Sequence, residues 1–267
     1  MIKAKKQFGQ NFMVDQNILN KIIDSVSFDL PILEIGSGTG LLTQKLTENT
    51  ELPIISYEID RDLFPETKKK LELFNNVTLV NQDFMASEIP NIDLCVIANI
   101  PYHLTSPIID KLLNRRNVKD IYLMVQKEIA DRICSKESKS NYSSFSIFCQ
   151  TRAEVKTLFN VSKNSFVPKP KIDSAFIQLK PFNKYLNQIE NLEVYNNIIR
   201  AAFWGKRKTL FNCLAKSPYT NFSKEIVIKT YEKLNILQTI RGQQMPVPEF
   251  IKLANELFRW TNHNKLS

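Results

Sequence analysis

Leu33-Glu34-Ile35-Gly36-Ser37-Gly38-Thr39-Gly40-Leu41-Leu42-Thr43 decides the fold class of this chain. Gly36, Gly38 and Gly40 are half of the six glycines in 267 residues. Glycine crowded in this way marks backbone that takes positive φ or must approach another group closely. A short apolar run, residues 31–35, precedes the glycines, and a helical pattern, residues 41–47, follows them. Strand, glycine turn, helix is the order by which α/β folds present a nucleotide at the carboxyl ends of parallel strands.

Outward from this loop the same rhythm continues. Residues 54–59, 77–80, 94–97 and 121–125 read as short buried strands, with helical stretches at 62–74, 107–114 and 126–133. That alternation predicts a parallel sheet with helices on both faces. Two later strands, 153–161 and 174–179, lack a helix between them and suit a hairpin at one sheet edge. Beyond Pro181 strand patterns stop, and 192–203, 208–215, 223–234 and 248–258 all read as helices. Ser223 and the Pro248-Glu249 pair are suitable helix starts. The expected organisation is therefore a Rossmann-like α/β domain over residues 1–183 and a small all-helical domain over 184–267.

The glycine spacing also selects the ligand. The third glycine comes one residue too early for the dinucleotide fingerprint, and Glu34 stands just ahead of the first. A loop with no pyrophosphate to seat suits S-adenosylmethionine, whose nucleoside carries a sulfonium and an amino-acid tail. Glu58, at the end of the second strand, is placed to accept both ribose hydroxyls, and Asp83, after the third, to accept from the adenine amino group. Asn99-Ile100-Pro101-Tyr102 follows the fourth strand, where side chains face the ligand crevice. Pro101 restricts its own φ and holds Ile100 extended. The expectation is that carbonyls near Ile100 and Pro101, with the Asn99 side chain, accept the N–H bonds of an adenine amino group. Tyr102 offers a face on which an extruded base can stack. Phe166, bracketed by Pro168 and Pro170, is expected to be a second aromatic anchor, with Lys169 and Lys171 placed to meet phosphates. Each of these residues also has a plainer reading, as a strand-end carboxylate, a turn or a core aromatic. Clustering at strand ends favours the site for Glu58, Asp83 and residues 99–102, while for Phe166 a core position is at least as well supported.

Composition narrows the partners. Lys and Arg outnumber Asp and Glu by 36 to 27, for a net charge of +9, which favours a polyanionic partner. Arg200, Lys206, Arg207 and Lys208 form a candidate RNA-phosphate face, with an ordinary solvated helix surface the equal alternative from charge alone. Cys95, Cys134, Cys149 and Cys213 are widely spaced and there are two histidines, a pattern unlike a zinc site or a disulfide framework. No metal is expected. Nothing resembles a membrane span or a signal peptide, so a cytoplasmic protein is expected.

Together QFGQNFMVD (7–15), LEIGSGTGLLT (33–43), NIPYHLTSPII (99–109), FVPKPKIDSA (166–175) and KRKTLFN (206–212) resemble the ribosomal RNA adenine dimethyltransferase family. The resemblance spans most of the chain. It implies dimethylation of adenosine at the 6-amino group, and it adds Asn11 and the Met13 backbone to Gly36, Gly38, Glu58, Asp83 and Asn99 as cofactor-holding residues. FGQNF and KRKTLFN favour the small-subunit (KsgA-type) branch. That branch modifies two adjacent adenosines near the 3′ end of 16S ribosomal RNA during ribosome biogenesis, in a partly assembled small particle. The erythromycin-resistance branch, acting on large-subunit (23S) RNA, is the alternative, as is a non-catalytic RNA-binding assembly factor. A nicotinamide dehydrogenase is disfavoured by the glycine spacing and by His103 being the single proton-donor candidate. A monomer is expected.

Overall fold

The computed structural model describes residues 4–205 and 207–263, and these form two compact units. The first contains the described residues up to Ala130 together with Val155–Pro181. The second contains Asp131–Glu154 and the described residues from Phe182 onward. A stretch inside 1–183 therefore clusters with the C-terminal helices.

The first unit opens with a two-residue strand, β1 (Phe12–Met13). Helix α1 (Gln16–Ile23) follows, its start fixed by Asp15, which accepts the N–H groups of Asn17 and Ile18. Strands and helices then alternate: β2 (Ile32–Ile35), α2 (Leu41–Thr47), β3 (Ile54–Tyr57), α3 (Phe64–Leu71), β4 (Val77–Val80) and β5 (Leu94–Asn99). After α4 (Thr105–Leu113) and β6 (Val118–Gln126) come α5 (Lys127–Ile133) and α6 (Ser144–Arg152). The strands end with β7 (Ala153–Val161), β8 (Phe166–Val167) and β9 (Ser174–Pro181).

Seven strands make one sheet in the order β4-β3-β2-β5-β6-β9-β7. Its first five strands are parallel, and β9 runs antiparallel to β6. All of β2 and residues 94–98 of β5 are buried, so these strands show apolar residues without alternation, interrupted only by Glu34 in β2. From β2 the chain steps outward to β3 and β4, then returns to lay β5 on the other flank of β2. That reversal opens a crevice at the carboxyl ends of β2 and β5. The register Glu34↔Ile97 makes the glycine loop and Asn99 leave the sheet at the same level.

β1 and β8 form a second, two-stranded sheet, pairing Phe12 with Val167 and Met13 with Phe166. Met13 and Phe166 thereby join Leu19, Ile32, Leu46 and Ile97 in one core. Each such buried side chain contributes roughly 1.5–3 kcal/mol relative to exposure.

In the second unit, α6 packs with α7 (Leu192–Ala202), α8 (Leu210–Lys216), α9 (Lys224–Leu234) and α10 (Val247–His263). Tyr195, Tyr231 and Phe250 are the large side chains at its centre, and the hydroxyls of Thr151 and Tyr195 meet at 2.7 Å. Ser223 caps α9 by accepting the Ile226 N–H. No helix among the described residues is long and apolar enough to cross a membrane.

Candidate active site

The crevice at the β2/β5 ends is an open cleft of about 820 Å³, mouth included. Five segments line it: residues 8–13, Leu19 and Ile22 of α1, the glycine loop with the start of α2, the end of β3, and residues 99–102.

The loop is stapled to β3. Gly36 and Ser37 donate N–H bonds to the Tyr57 carbonyl at 2.8 and 3.1 Å, and Gly38 donates to Glu58 Oε2 at 2.7 Å. Gly36, Gly38 and Gly40 all have positive φ, at 78°, 54° and 77°. At Gly36 a Cβ would meet no atom within 4 Å, so the missing side chain leaves open cleft for a ligand. At Gly38 a Cβ would stand 3.2 Å from the Phe12 ring, which packs down on the loop.

Glu58 lies at the cleft wall and is 4% exposed. Its Oε2 accepts the Gly38 N–H and its Oε1 the Asp60 N–H, at 2.8 Å. Burial raises its pKa against the opposing pull of these backbone bonds. Each oxygen keeps a lone pair for a further donor.

Glu34 sits deeper, 1% exposed. The hydroxyls of Thr43 and Ser56 donate to its Oε2 at 2.6 and 2.5 Å, while Oε1 is buried without a partner among the described residues. Desolvation, with the Glu58 charge adding to it, pushes its pKa up to about 7, despite the two hydroxyl bonds. A folded state that holds this proton more tightly than the unfolded chain is stabilised below the unfolded pKa of about 4.5. That contribution is lost as pH rises to about 7. Glu34→Gln, an uncharged isostere, is therefore expected to remove a decline of about 3 kcal/mol across this window. Urea unfolding of both proteins between pH 5 and 8 checks this; parallel pH profiles would refute it.

The N-terminal segment is held over the cleft by contacts that the sequence reading does not identify. Lys5 Nζ donates to Asp60 Oδ1 at 2.5 Å and to Asp62 Oδ2 at 2.6 Å, and Gln10 Nε2 donates to Asp60 Oδ2 at 2.8 Å. Burial alone would raise the Asp60 pKa, but these bonds hold it below the usual value. Asn11 and Met13, expected cofactor residues, both line the cleft, with Met13 buried.

Asn99 ends β5, and its Nδ2 donates to the Asn11 carbonyl at 3.0 Å. A carbonyl can only accept, so this bond orients the amide and leaves Oδ1 as a free acceptor at the cleft. The Ile100 carbonyl has no hydrogen-bond partner among the described residues. The Pro101 carbonyl is different: it accepts the Leu104 N–H at 3.0 Å, starting a short helical turn. The expectation that it is left open is corrected accordingly. Tyr102 lines the cleft with its hydroxyl 2.6 Å from Ser174 Oγ, which fixes the ring.

Asp83 lies three residues beyond β4, exposed, with Oδ1 accepting the Met85 N–H at 2.8 Å. Lys111 Nζ braces the turn after it by donating to the carbonyls of Phe84, Met85 and Ser87. Asp83 is not among the residues lining the cleft.

Phe166 is not the open anchor expected from its flanking prolines. Pairing with Met13 turns it inward, 2% exposed, and it serves as core beneath β1. Lys169 and Lys171 are exposed in the loop after β8. Arg200, Arg207 and Lys208 are exposed in the second unit, and Lys206 lies outside the described residues.

Comparison with known proteins gives the family. Ribosomal RNA small subunit methyltransferase A of Caldanaerobacter subterraneus is 36% identical, covering 96% of this chain and 98% of that one. The Bacillus pumilus protein of the same name is also 36% identical, over 95% and 91%. Among solved structures, a dimethyladenosine transferase from Plasmodium falciparum superimposes with a TM-score of 0.82 at 30% identity, covering 92% of this chain and 97% of that one. The 23S rRNA methyltransferase ErmE gives 0.72 at 25% identity, covering 93% and 100%. The family model described as ribosomal RNA adenine dimethylase matches residues 1–258, and the chain belongs to that family.

Proposed function

We propose that this chain transfers methyl groups from S-adenosylmethionine to the 6-amino groups of two adjacent adenosines near the 3′ end of small-subunit (16S) ribosomal RNA. The observation that carries the chemistry is the Asn99 amide, fixed by the Asn11 carbonyl with Oδ1 left to accept. The small-subunit reading rests on the curated relatives of that name, which are more similar in sequence than the 23S enzyme. In this reading the substrate is a partly assembled small ribosomal particle, and the protein acts as a cytoplasmic monomer.

The cleft suits the cofactor: Gly36 leaves open space, and Glu58 keeps two lone pairs for ribose hydroxyls. Asn11 and Met13 line the wall; the Met13 backbone, and Asp83 just outside that lining, are assigned to the cofactor, Asp83 to its adenine. When bound, S-adenosylmethionine supplies a methyl group already activated by its sulfonium.

The residues of the chain then address the weak partner, the adenine amino nitrogen, whose lone pair is delocalised into the ring. Asn99 Oδ1 and the Ile100 carbonyl accept its two N–H bonds and favour tetrahedral geometry, which returns the lone pair to nitrogen. Tyr102, held by Ser174, stacks on the extruded base. Pro101 keeps Ile100 extended. Each methyl group added displaces one amino proton, which passes to solvent at the open cleft, and alignment of this kind accelerates reaction without a strong general base.

Transfer of labelled methyl from S-adenosylmethionine to small ribosomal particles lacking dimethyladenosine, with large particles in parallel, tests the reading. Dimethyladenosine mapped to the small-subunit RNA alone is expected. Label in the large particle would move the chain to the 23S branch, and no label in either would leave an assembly factor.

A further inference from the structure

Trp204 occupies the connection between α7 and α8 and is 43% exposed, unusual for the largest apolar side chain. Its surroundings are organised. Lys208 folds back through a turn, its N–H donating to the Gly205 carbonyl at 2.8 Å, and its Nζ rests 4.0 Å from the Trp204 ring centroid. Gly205 makes room for this: a Cβ there would lie 2.7 Å from Lys208 Cδ. The ammonium therefore sits against the indole by construction of the turn, a cation–π contact.

The charge along this part of the chain is one-sided. Residues 194–223 contain no Asp or Glu but hold Arg200, Lys206, Arg207, Lys208 and Lys216. Arg200 is exposed on the last turn of α7, and Arg207 and Lys216 are exposed as well. None of Arg200, Arg207 and Lys208 has a carboxylate partner among the described residues. An aromatic face inside unbalanced positive charge is the pattern that binds single-stranded nucleic acid, the ring stacking on a base and the cations meeting phosphates. A protein partner is less suited, since the ring is met by a lysine ammonium and the stretch carries positive charge with no acidic residue to balance it.

We propose that Trp204 is a stacking platform for an unpaired base of the ribosomal RNA substrate, with Lys208 clamping the indole and neutralising the neighbouring phosphate. The proposal deepens the reading of this chain as an RNA-modifying enzyme and rests on it.

The chain has two tryptophans, Trp204 and Trp260. The buried Trp260 Nε1 has no hydrogen-bond partner among the described residues, so Trp260→Phe removes an unpaired polar group and leaves Trp204 as the one tryptophan. In that background, a mixed-sequence single-stranded RNA oligonucleotide is expected to quench tryptophan emission by more than about half, as base stacking does, whereas inorganic polyphosphate leaves most of it. Trp204→Ala is expected to weaken oligonucleotide binding about tenfold or more by filter retention, with Trp204→Phe recovering most of the loss. Filter-bound RNA without quenching, equal quenching by polyphosphate, or unchanged affinity in Trp204→Ala would each overturn the stacking role. Labelled-methyl transfer to the small particle is scored separately. Its failure would strike the activity reading, while quenching by RNA would still report on the platform.

Discussion

Asn99→Ala is expected to fold normally, to bind S-adenosylmethionine, and to transfer methyl groups on the order of 10²–10³-fold more slowly. The magnitude follows from the position of the side chain. Its Nδ2 is engaged by Asn11, so Oδ1 is the end presented to the cleft, and truncation removes one of two acceptors for the adenine amino group. The backbone at this position belongs to β5, whose register with β6 continues through Asn99↔Met124, so the fold does not depend on the amide. The lost bond to Asn11 accounts for about 1 kcal/mol, and cofactor affinity is expected to fall no more than about fivefold. Single-turnover methyl transfer and calorimetry separate the two effects. Tyr102→Phe is the control: the hydroxyl serves to hold the ring against Ser174, and its loss is expected to cost less than about tenfold. Near-normal turnover in Asn99→Ala would sink the acceptor mechanism.

The parts of this protein that were legible in the sequence are those where one local demand decides the residues. β2 and residues 94–98 of β5 are buried on both faces, and so show no alternation of apolar and polar residues, Glu34 being the one charged residue among them. The glycine loop was legible because positive φ at Gly36, Gly38 and Gly40 leaves little choice of residue. Other features depend on tertiary partners. β1 and β8 have two residues each, too few for any period to show, and exist because Phe12–Met13 finds Phe166–Val167. That pairing overrides the local signal of the prolines and buries Phe166. Helix α6 reads SFSIFCQTR, with residues of middling helix propensity and no clean apolar stripe; Ser143 and Ser146 start it by capping each other's backbone. Its helix joins the second unit, which one cut near residue 183 does not describe. The bonds of Lys5 and Gln10 to Asp60 link segments far apart in the chain, and neither end carries a motif. The Pro101 carbonyl turned on a single Leu104 N–H, a detail below what residue types can specify.

Glu58 provides the second large effect, and the conservative substitution is the more informative one. Both of its oxygens accept backbone N–H groups, from Gly38 and from Asp60. An amide in this place has one acceptor and one donor. Glu58→Gln must therefore set an NH₂ against one of the two N–H groups, the buried one of Asp60 or the part-buried one of Gly38, and that orphaned donor costs about 1–3 kcal/mol. The cost falls on the segment that joins the glycine loop to the end of β3. Glu58→Ala leaves both N–H groups without their acceptor but introduces no opposed donor. If the carboxylate also holds the ribose hydroxyls, both variants are expected to bind S-adenosylmethionine about 10- to 100-fold more weakly. Calorimetry on each variant, beside thermal unfolding without cofactor, separates the two roles. Loss of affinity well beyond the loss of stability supports direct ribose contact. Reduced stability with unchanged affinity would remove that contact and leave Glu58 as the staple that holds Gly38 in place.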